Sequence, residues 1–194
     1  MNNNKFYQFN FGGSNRDIHL ISNVLDFDSY IKLSKGDLND FQIPITFKQK
    51  SGKNWKDILC PSIGFHLISD RVKEALEANN ITGYKTFPII IYDKKGNEVP
   101  GYHGFSVTGR CDPTDWSKSE IIQKKLFEFS SVTDYYRGRH IDNWDGSDIF
   151  SPKGTLVIIL SEKAYRLFKS LKLNSTRYID IEKYEISTYT IIKR

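Results

Sequence analysis

The sequence has few of the residues and segments that would place it in a specialised class of protein. Its two cysteines, Cys60 and Cys111, stand in no paired motif, so neither a disulfide framework nor a zinc ribbon is expected. No apolar run approaches the roughly eighteen residues that a membrane-spanning helix needs. Residues 1–5 lack the charged start and apolar stretch of a secretory signal. We therefore expect a cytoplasmic protein with no membrane partner, no metal and no cofactor.

Motifs of catalysis and of nucleotide binding are also missing. Residues 104–108 resemble the turn that presents a nucleophilic serine, but Thr108 stands where that turn needs a small residue. Neither cysteine is surrounded by the signature of a thiol enzyme, and no glycine-rich phosphate-binding fingerprint is present. The sequence thus predicts a protein that is not an enzyme. A hydrolase that uses His103, Ser106 or Cys111 stays open as an alternative.

The charge balance is only mildly basic. The 28 lysines and arginines against 23 aspartates and glutamates give a formal net charge of +5, and the basic residues are mostly scattered. One short segment interleaves aromatic rings with arginines, as a contact with single-stranded nucleic acid would. A second alternative is therefore a nucleic-acid-binding protein that uses Tyr135, Tyr136, Arg137 and Arg139. The segment is too short to establish that function alone.

What the sequence does contain is one segment that occurs twice, ninety-two residues apart and without a gap. Residues 65–76 match residues 157–168 in chemical class: apolar with apolar, serine with serine, acid with acid and base with base. In each copy a serine follows an apolar run and can accept a hydrogen bond from a first helical turn. The acid after it lies favourably at the positive end of the helix dipole. We predict helices that start at Ser69 and Ser161.

The two copies predict strand–helix–strand units over about residues 57–92 and 149–184. The apolar residues of each helix recur on one face, which places Leu76 and Phe168 at equivalent positions in the core. No low-complexity linker separates the units, which favours a single domain over residues 1–194 with two related lobes. The expected fold class is α+β, with a mixed, mostly antiparallel sheet and few helices.

Other stretches carry their own predictions. Aromatic residues alternate over 7–11 and predict a first strand. Residues 41–47 predict another strand, in which Pro44 removes a ladder donor and favours a sheet edge. Residues 120–129 fit either a strand or a short helix, and both stay open. The run 184–192 is rich in Tyr, Thr and Ile and predicts a final strand.

Two loops place a tryptophan among polar, turn-forming residues, one at Trp116 and the other at Trp144. Tryptophan and arginine dominate protein interfaces, although a core anchor explains each tryptophan at least as well. Aspartates that cap their own turns explain the acidic residues of these loops better than a metal site does. The residues predicted to contact a partner are Asp115, Trp116, Tyr135, Tyr136, Arg137, Arg139, Trp144, Asp145 and Asp148.

The order of several short motifs resembles a family of bacterial proteins. Residues 55–190 look like the immunity proteins of polymorphic toxin systems, of the types numbered eleven and forty-three. The matching motifs are residues 68–76, 81–84 and 87–89, then Tyr102 with residues 115–119, then residues 148–150 with 159–164. Each motif is short, so the resemblance lies in their order. The N-terminal fifty residues and residues 120–140 have no counterpart in it.

The resemblance implies a non-catalytic protein that binds and neutralises a secreted or contact-delivered toxin inside the cell that produces it. Its partner would be the cognate toxin protein, and no catalytic residue carries over from the family. Immunity proteins against basic nucleases tend to be acidic, because opposite fields speed and tighten association. The net charge of +5 therefore implies a toxin that is acidic or is not a nuclease.

Overall fold

A computed structural model describes residues 4–125, 127 and 131–192, and they form an α+β fold. The strands are β1 (Phe6–Phe11), β2 (His19–Ile21), β3 (Ile45–Ser51), β4 (Ile58–Ser62), β5 (Phe65–Ser69), β6 (Tyr84–Tyr92), β7 (Tyr102–Val107), β8 (Gly109–Cys111), β9 (Glu120–Lys125), β10 (Val132–Arg137), β11 (Ile149–Pro152), β12 (Ile158–Ser161), β13 (Thr176–Asp180) and β14 (Glu185–Ser187). The α-helices are α1 (Phe27–Lys35), α2 (Asp70–Ala78), α3 (Glu162–Ser170) and α4 (Thr188–Ile192). None of the helices in this described part is long and apolar enough to cross a membrane.

The strands form three sheets. A six-stranded sheet has the order β2-β3-β6-β7-β5-β4, and a five-stranded sheet has the order β13-β1-β12-β11-β8. A three-stranded sheet, called the small sheet below, has the order β14-β10-β9. Strand β3 is parallel to β6 and β8 is parallel to β11, whereas the other neighbouring strands are antiparallel. The predicted class, with mixed and mostly antiparallel sheets and few helices, is confirmed.

The two predicted helices begin at the predicted serines. Ser69 Oγ accepts a hydrogen bond from the Val72 N–H at 3.4 Å, and Ser161 Oγ accepts one from the Ala164 N–H at 3.3 Å. Each serine therefore satisfies one of the amides that a first helical turn leaves free. In chain order α2 follows β5 and precedes β6, and α3 follows β12 and precedes β13.

Each capping serine is itself held by hydrogen bonds to an aspartate. Ser69 Oγ donates to Asp57 Oδ1 at 2.8 Å, and Ser161 Oγ donates to Asp148 Oδ1 at 2.8 Å. The backbone N–H of each serine also donates to the carbonyl oxygen of the same aspartate, at 2.8 Å in both places. Because its own proton is directed to the carboxylate, each hydroxyl presents a lone pair to the helix.

The base two residues after each capping serine links the start of one helix to the end of the other. Arg71 Nη2 donates to the Leu171 carbonyl oxygen, just beyond α3, at 2.6 Å. Lys163 Nζ donates to the Asn80 carbonyl oxygen, just beyond α2, at 2.8 Å. Each base also contacts the aspartate that holds its own capping serine: Arg71 Nη1 donates to Asp57 Oδ2 at 2.6 Å, and Lys163 Nζ donates to Asp148 Oδ2 at 3.2 Å. Cations near carbonyls at helix C-termini are favourable, so each helix stabilises the other.

Both helices contribute to one core. Leu76 is fully buried and Phe168 is 3% exposed, and the two side chains belong to the same apolar cluster. The buried members of this cluster are Phe9, Ile58, Ile68, Val72, Leu76, Ile81, Phe105, Val107, Ile149, Ile158, Leu160, Ala164, Phe168 and Leu173. The placement of Leu76 and Phe168 in the core is thus confirmed. That residues 57–92 and 149–184 are copies of one unit, within a single domain, stays a prediction.

The N-terminal strand has a place that the sequence pattern did not indicate. In the six-stranded sheet β7 lies between β5 and β6, antiparallel to both. In the five-stranded sheet β1 lies between β12 and β13, again antiparallel to both. Helix α2 packs on β5 and β7, and α3 packs on β12 and β1. Residues from the start of the chain therefore complete the sheet of its last third.

Two strand predictions need correction. Strand β3 begins at Ile45 and lies between β2 and β6, so the expected sheet edge around Pro44 is wrong. Pro44 precedes the strand, where no ladder donor is required. The predicted final strand over residues 184–192 is also wrong in its second part: β14 ends at Ser187 and α4 follows, where Thr188 Oγ1 donates to the Asp134 carbonyl oxygen at 3.1 Å. In the ambiguous stretch, Glu120–Lys125 is a strand, and residues 126 and 128–130 lie outside the described residues.

We expect Phe168→Ala to lower the free energy of unfolding by about 3–5 kcal/mol, because it removes buried contacts and leaves a cavity. Arg166→Ala is the matched control, since the Arg166 side chain is 74% exposed and its ion pair contributes less than about 1 kcal/mol. Urea denaturation measures both. A folded Phe168→Ala protein with the wild-type midpoint would contradict this core position.

We expect Asp148→Ala to lower the free energy of unfolding by about 1–3 kcal/mol, because the Ser161 hydroxyl loses its acceptor and the Lys163 ammonium loses its ion-pair partner. The control is Asp40→Ala, which removes only an exposed pair with Lys32. The Asp148→Ala loss should persist in about 1 M salt, where exposed pairs are screened. Thermal melts that do not distinguish Asp148→Ala from the wild-type protein would refute the role of this aspartate.

Candidate partner-binding surface

The side chains of the small sheet are covered less than those of the two larger sheets. No described residue of β9, β10 or β14 is fully buried. Of the eight large apolar side chains that are exposed in the described part of the chain, four lie in or beside this sheet. They are Ile121 (62% exposed), Val132 (57%), Phe127 (76%) and Tyr189 (68%). A cluster of exposed apolar groups is typical of an interaction surface.

The strand register sorts the side chains of the small sheet onto two faces. Ile121, Tyr136 and Ile186 lie in one row across the three strands and share a face. Glu120, Arg137 and Glu185 form the neighbouring row on the opposite face. The first face is therefore apolar in this row and the second is charged.

Ion pairs hold the charged face together. Arg137 Nε donates to Glu185 Oε1 at 3.1 Å, and Arg137 Nη1 lies 3.5 Å from Glu120 Oε2. Lys124 donates to the other oxygen of Glu185, and this hydrogen bond, with the help of Arg137, holds the pKa of the Glu185 carboxyl below its usual range. The network links all three strands, which reduces the freedom of a sheet that has no buried core of its own.

A buried arginine anchors the small sheet to the body of the protein. The Arg139 side chain is 6% exposed, and its guanidinium carbon lies 5.0 Å from the Trp116 ring and 4.9 Å from the Tyr184 ring. Nη1 donates to Thr114 Oγ1 at 2.8 Å, whereas Nε has no hydrogen-bond partner among the described residues. Burial lowers the pKa of Arg139. Trp116 also stacks on Tyr136 at 5.8 Å, which joins this anchor to the apolar face.

A cleft of about 710 Å³ lies beside this anchor, between the small sheet and the start of β1. Backbone hydrogen bonds fix its wall, from Gly138 N to the Tyr184 oxygen at 2.9 Å and from Arg139 N to the Ile181 oxygen at 2.8 Å. Its lining includes basic residues, acids and aromatic rings: Lys5, Lys118, Arg137, Arg139, His140, Glu120, Asp180, Glu182, Phe6 and Trp144. Groups of both charges and aromatic groups thus meet at the base of the small sheet.

Six of the nine predicted contact residues lie in the small sheet or at its base, and they are Asp115, Trp116, Tyr135, Tyr136, Arg137 and Arg139. Asp115 Oδ1 accepts from the Ser117 N–H at 3.0 Å and caps the short 3-10 helix Trp116–Lys118. The fold therefore brings together residues that the sequence had placed in two separate segments. Their contact with a partner stays a prediction.

The other three predicted contact residues have structural partners within the body. Trp144 packs against Phe6 and Phe150, with ring centroids 5.0 and 5.7 Å away, and its Nε1 donates to the Ser147 carbonyl oxygen at 2.9 Å. Asp145 accepts backbone N–H groups from Arg110 and Ser147. Asp148, as described above, holds a helix cap. These contacts agree with the alternative interpretation of this loop, in which Trp144 is a packing anchor and the aspartates cap turns.

The groups needed for the two alternative functions are separated or already occupied. His103 Nε2 lies 2.6 Å from Asp70 Oδ1. Ser106 is fully buried and donates to the Leu33 carbonyl oxygen. Cys111 is buried in an apolar cluster that is separate from the cluster of Leu76 and Phe168. Burial raises the pKa of the Cys111 thiol to about 11. These three side chains do not converge. Arg137 is paired and Arg139 is buried, so neither is free to meet a nucleic-acid phosphate.

Sequence reasoning missed Ile121, Val132 and Tyr189. The available signal was the apolar residues within 120–132, whose first part, residues 120–129, fitted a strand and a helix equally well. Strand pairing decides between the two, because it sets Lys125 opposite Val132 and Ile121 opposite Tyr136.

Comparison with known proteins supports the resemblance found in the sequence. No curated protein matches the chain. A family model described as "Immunity protein family (Imm11)" matches residues 16–183. The match includes α2 and α3 with the strands beside them in sequence, Trp116 and Arg139 of the anchor, and strands β9 and β10 of the small sheet. Of the two types that the motifs resemble, it selects the one numbered eleven. The chain belongs to the Imm11 immunity protein family.

Proposed function

We propose that this protein is the immunity protein of a polymorphic toxin system, which binds one cognate toxin in the cytoplasm and neutralises it without catalysis. The observation that carries this proposal is the family match over residues 16–183. An immunity protein acts by binding, so its function requires an accessible and well-ordered surface rather than a catalytic centre.

The small sheet is the surface that we assign to the toxin. It presents Ile121 and Val132 as exposed apolar side chains at opposite ends of the β9–β10 pair, and Tyr136, which stacks on Trp116, lies opposite Ile121. Aromatic and apolar anchors at the centre of an interface carry most of its binding energy. The ion pairs around Glu185 fix the strands before binding, which reduces the entropy that association must overcome.

The charge of this region indicates the chemistry of the toxin surface. The whole chain has a formal net charge of +5, and within the small sheet Lys125 is exposed with no ion-pair partner among the described residues. A basic protein associates fastest with an acidic partner. We therefore propose that the toxin meets the small sheet with an acidic and apolar patch.

The double variant Ile121→Asp, Val132→Asp should lose protection against the toxin encoded beside this protein. Two carboxylates would be forced into an apolar contact, and a loss of about 3 kcal/mol corresponds to more than a hundredfold weaker binding. The measurement is growth of cells that co-express the toxin, together with calorimetry on the purified proteins. Both positions are exposed, so thermal melts should show an intact fold.

The control is Val24→Asp, Ile63→Asp, whose positions are 77% and 81% exposed and lie outside the small sheet. We expect this variant to protect as the wild-type protein does. Equal protection by both double variants would reject the small sheet as the contact surface. A wild-type protein that neither binds the neighbouring toxin nor protects against it would reject the immunity function itself.

A further inference from the structure

Each of the three sheets has two edge strands, and most of these strands carry a feature that hinders the pairing of a further strand. Strands β2, β8 and β14 have three residues each. Strand β4 contains Pro61, and its pairing is interrupted by an irregularity after Leu59. Short length, proline and bulges are the usual means by which proteins prevent the addition of a further strand. The two edges without any of these three features are β9 and β13, and β9 carries lysines at its end, Lys124 and Lys125.

The side chains of β9 and β13 differ. Strand β9 has six residues in unbroken register with β10, from Glu120 opposite Arg137 to Lys125 opposite Val132. Four of its six side chains are exposed, including Ile121. In β13 only the Arg177 side chain is exposed. No other strand in the described part of the chain pairs with the outer side of β9, so alternate peptide groups there point away from the sheet.

The outer edge of β9 has a defined chemical pattern. Ile121, Gln123 and Lys125 share one face, with the apolar group at one end and the cation at the other. Lys125 is exposed and has no ion-pair partner among the described residues, whereas Lys124 is held by Glu185. Because a strand rises about 3.3 Å per residue, the apolar and cationic groups lie about 13 Å apart along the edge.

We propose that the toxin adds an extended strand to β9, with an apolar side chain opposite Ile121 and a carboxylate opposite Lys125. This inference rests on the proposed function and names the way in which the toxin is held. The main-chain hydrogen bonds of an added strand supply affinity, and the side chains opposite Ile121 and Lys125 supply specificity. The small sheet would then have four strands, and the exposed apolar side chains beside β9 would be covered.

A second copy of the chain fits this edge less well. Antiparallel pairing of two β9 strands about Ile122 would set Glu120 of each copy opposite Lys124 of the other. Both groups already have partners, Arg137 and Glu185 respectively. Self-pairing would therefore compete with the ion pairs of the small sheet, and it would leave Lys125 without a carboxylate.

Amide hydrogen exchange on the purified protein, alone and with the neighbouring toxin, tests this strand addition. In the complex, the outward amides of β9 should exchange at least about 100-fold more slowly, and β13, the matched edge, should be unchanged. A complex in which β9 gains no protection overturns the strand addition and leaves the immunity function standing. Protection of β9 that rises with concentration in the absence of toxin would assign the edge to a second copy instead. If no complex forms, both proposals fail.

Charge reversal provides an independent readout. Lys125→Glu should weaken toxin binding at least about tenfold at low salt, and the difference should shrink in high salt. Lys50→Glu is the control, because Lys50 is an exposed lysine on β3 of the six-stranded sheet. Lys125→Glu and Lys50→Glu proteins that bind the toxin equally well would overturn the role of Lys125.

Discussion

The hydrogen bonds around Asp57 and Asp148 are the constraint on which the rest of the structure depends. Each carboxylate holds the serine that caps one helix and the base that reaches the end of the other helix. The two helices are thereby fixed against each other over one apolar cluster, to which both larger sheets contribute. Loss of one aspartate would free a cap and also a contact between helices, so the effect would extend beyond a single turn.

The small sheet depends on this body without sharing its core. It is attached at one end, where Arg139 contacts the rings of both Trp116 and Tyr184, and cation–π contacts of this buried kind contribute roughly 2 kcal/mol each. Ion pairs rather than apolar packing order its strands. A rigid body that carries a partly covered sheet with an open edge suits a protein whose function is to bind another.

Local chemistry made part of this structure predictable. The serine caps, the acids that follow them and the apolar stripes identified α2 and α3, because these signals act within a few residues. The placement of β1 between β12 and β13 could not be predicted, because it depends on pairing between the two ends of the chain. The half-buried position of Trp144 likewise depends on Phe6, which is 138 residues away in the sequence.

For the candidate surface too, some features could be predicted from the local sequence and others could not. The interleaved aromatic and basic residues at 135–139 lie in β10 and directly after it, at the small sheet. Their roles were not predictable, since burial of Arg139 and pairing of Arg137 depend on residues 114–120 and 184–185. Ile121 and Val132 became candidates only when strand pairing showed which side chains remain exposed.

Titration of the toxin's activity with the purified immunity protein tests neutralisation by binding most directly. We expect the toxin's activity to fall linearly and to reach its baseline at one equivalent, with calorimetry giving one toxin bound per protein. Apolar burial in the complex should also give a negative heat-capacity change. Complete inhibition by a small fraction of an equivalent would show turnover and contradict the account, as would full activity of the toxin at saturating protein.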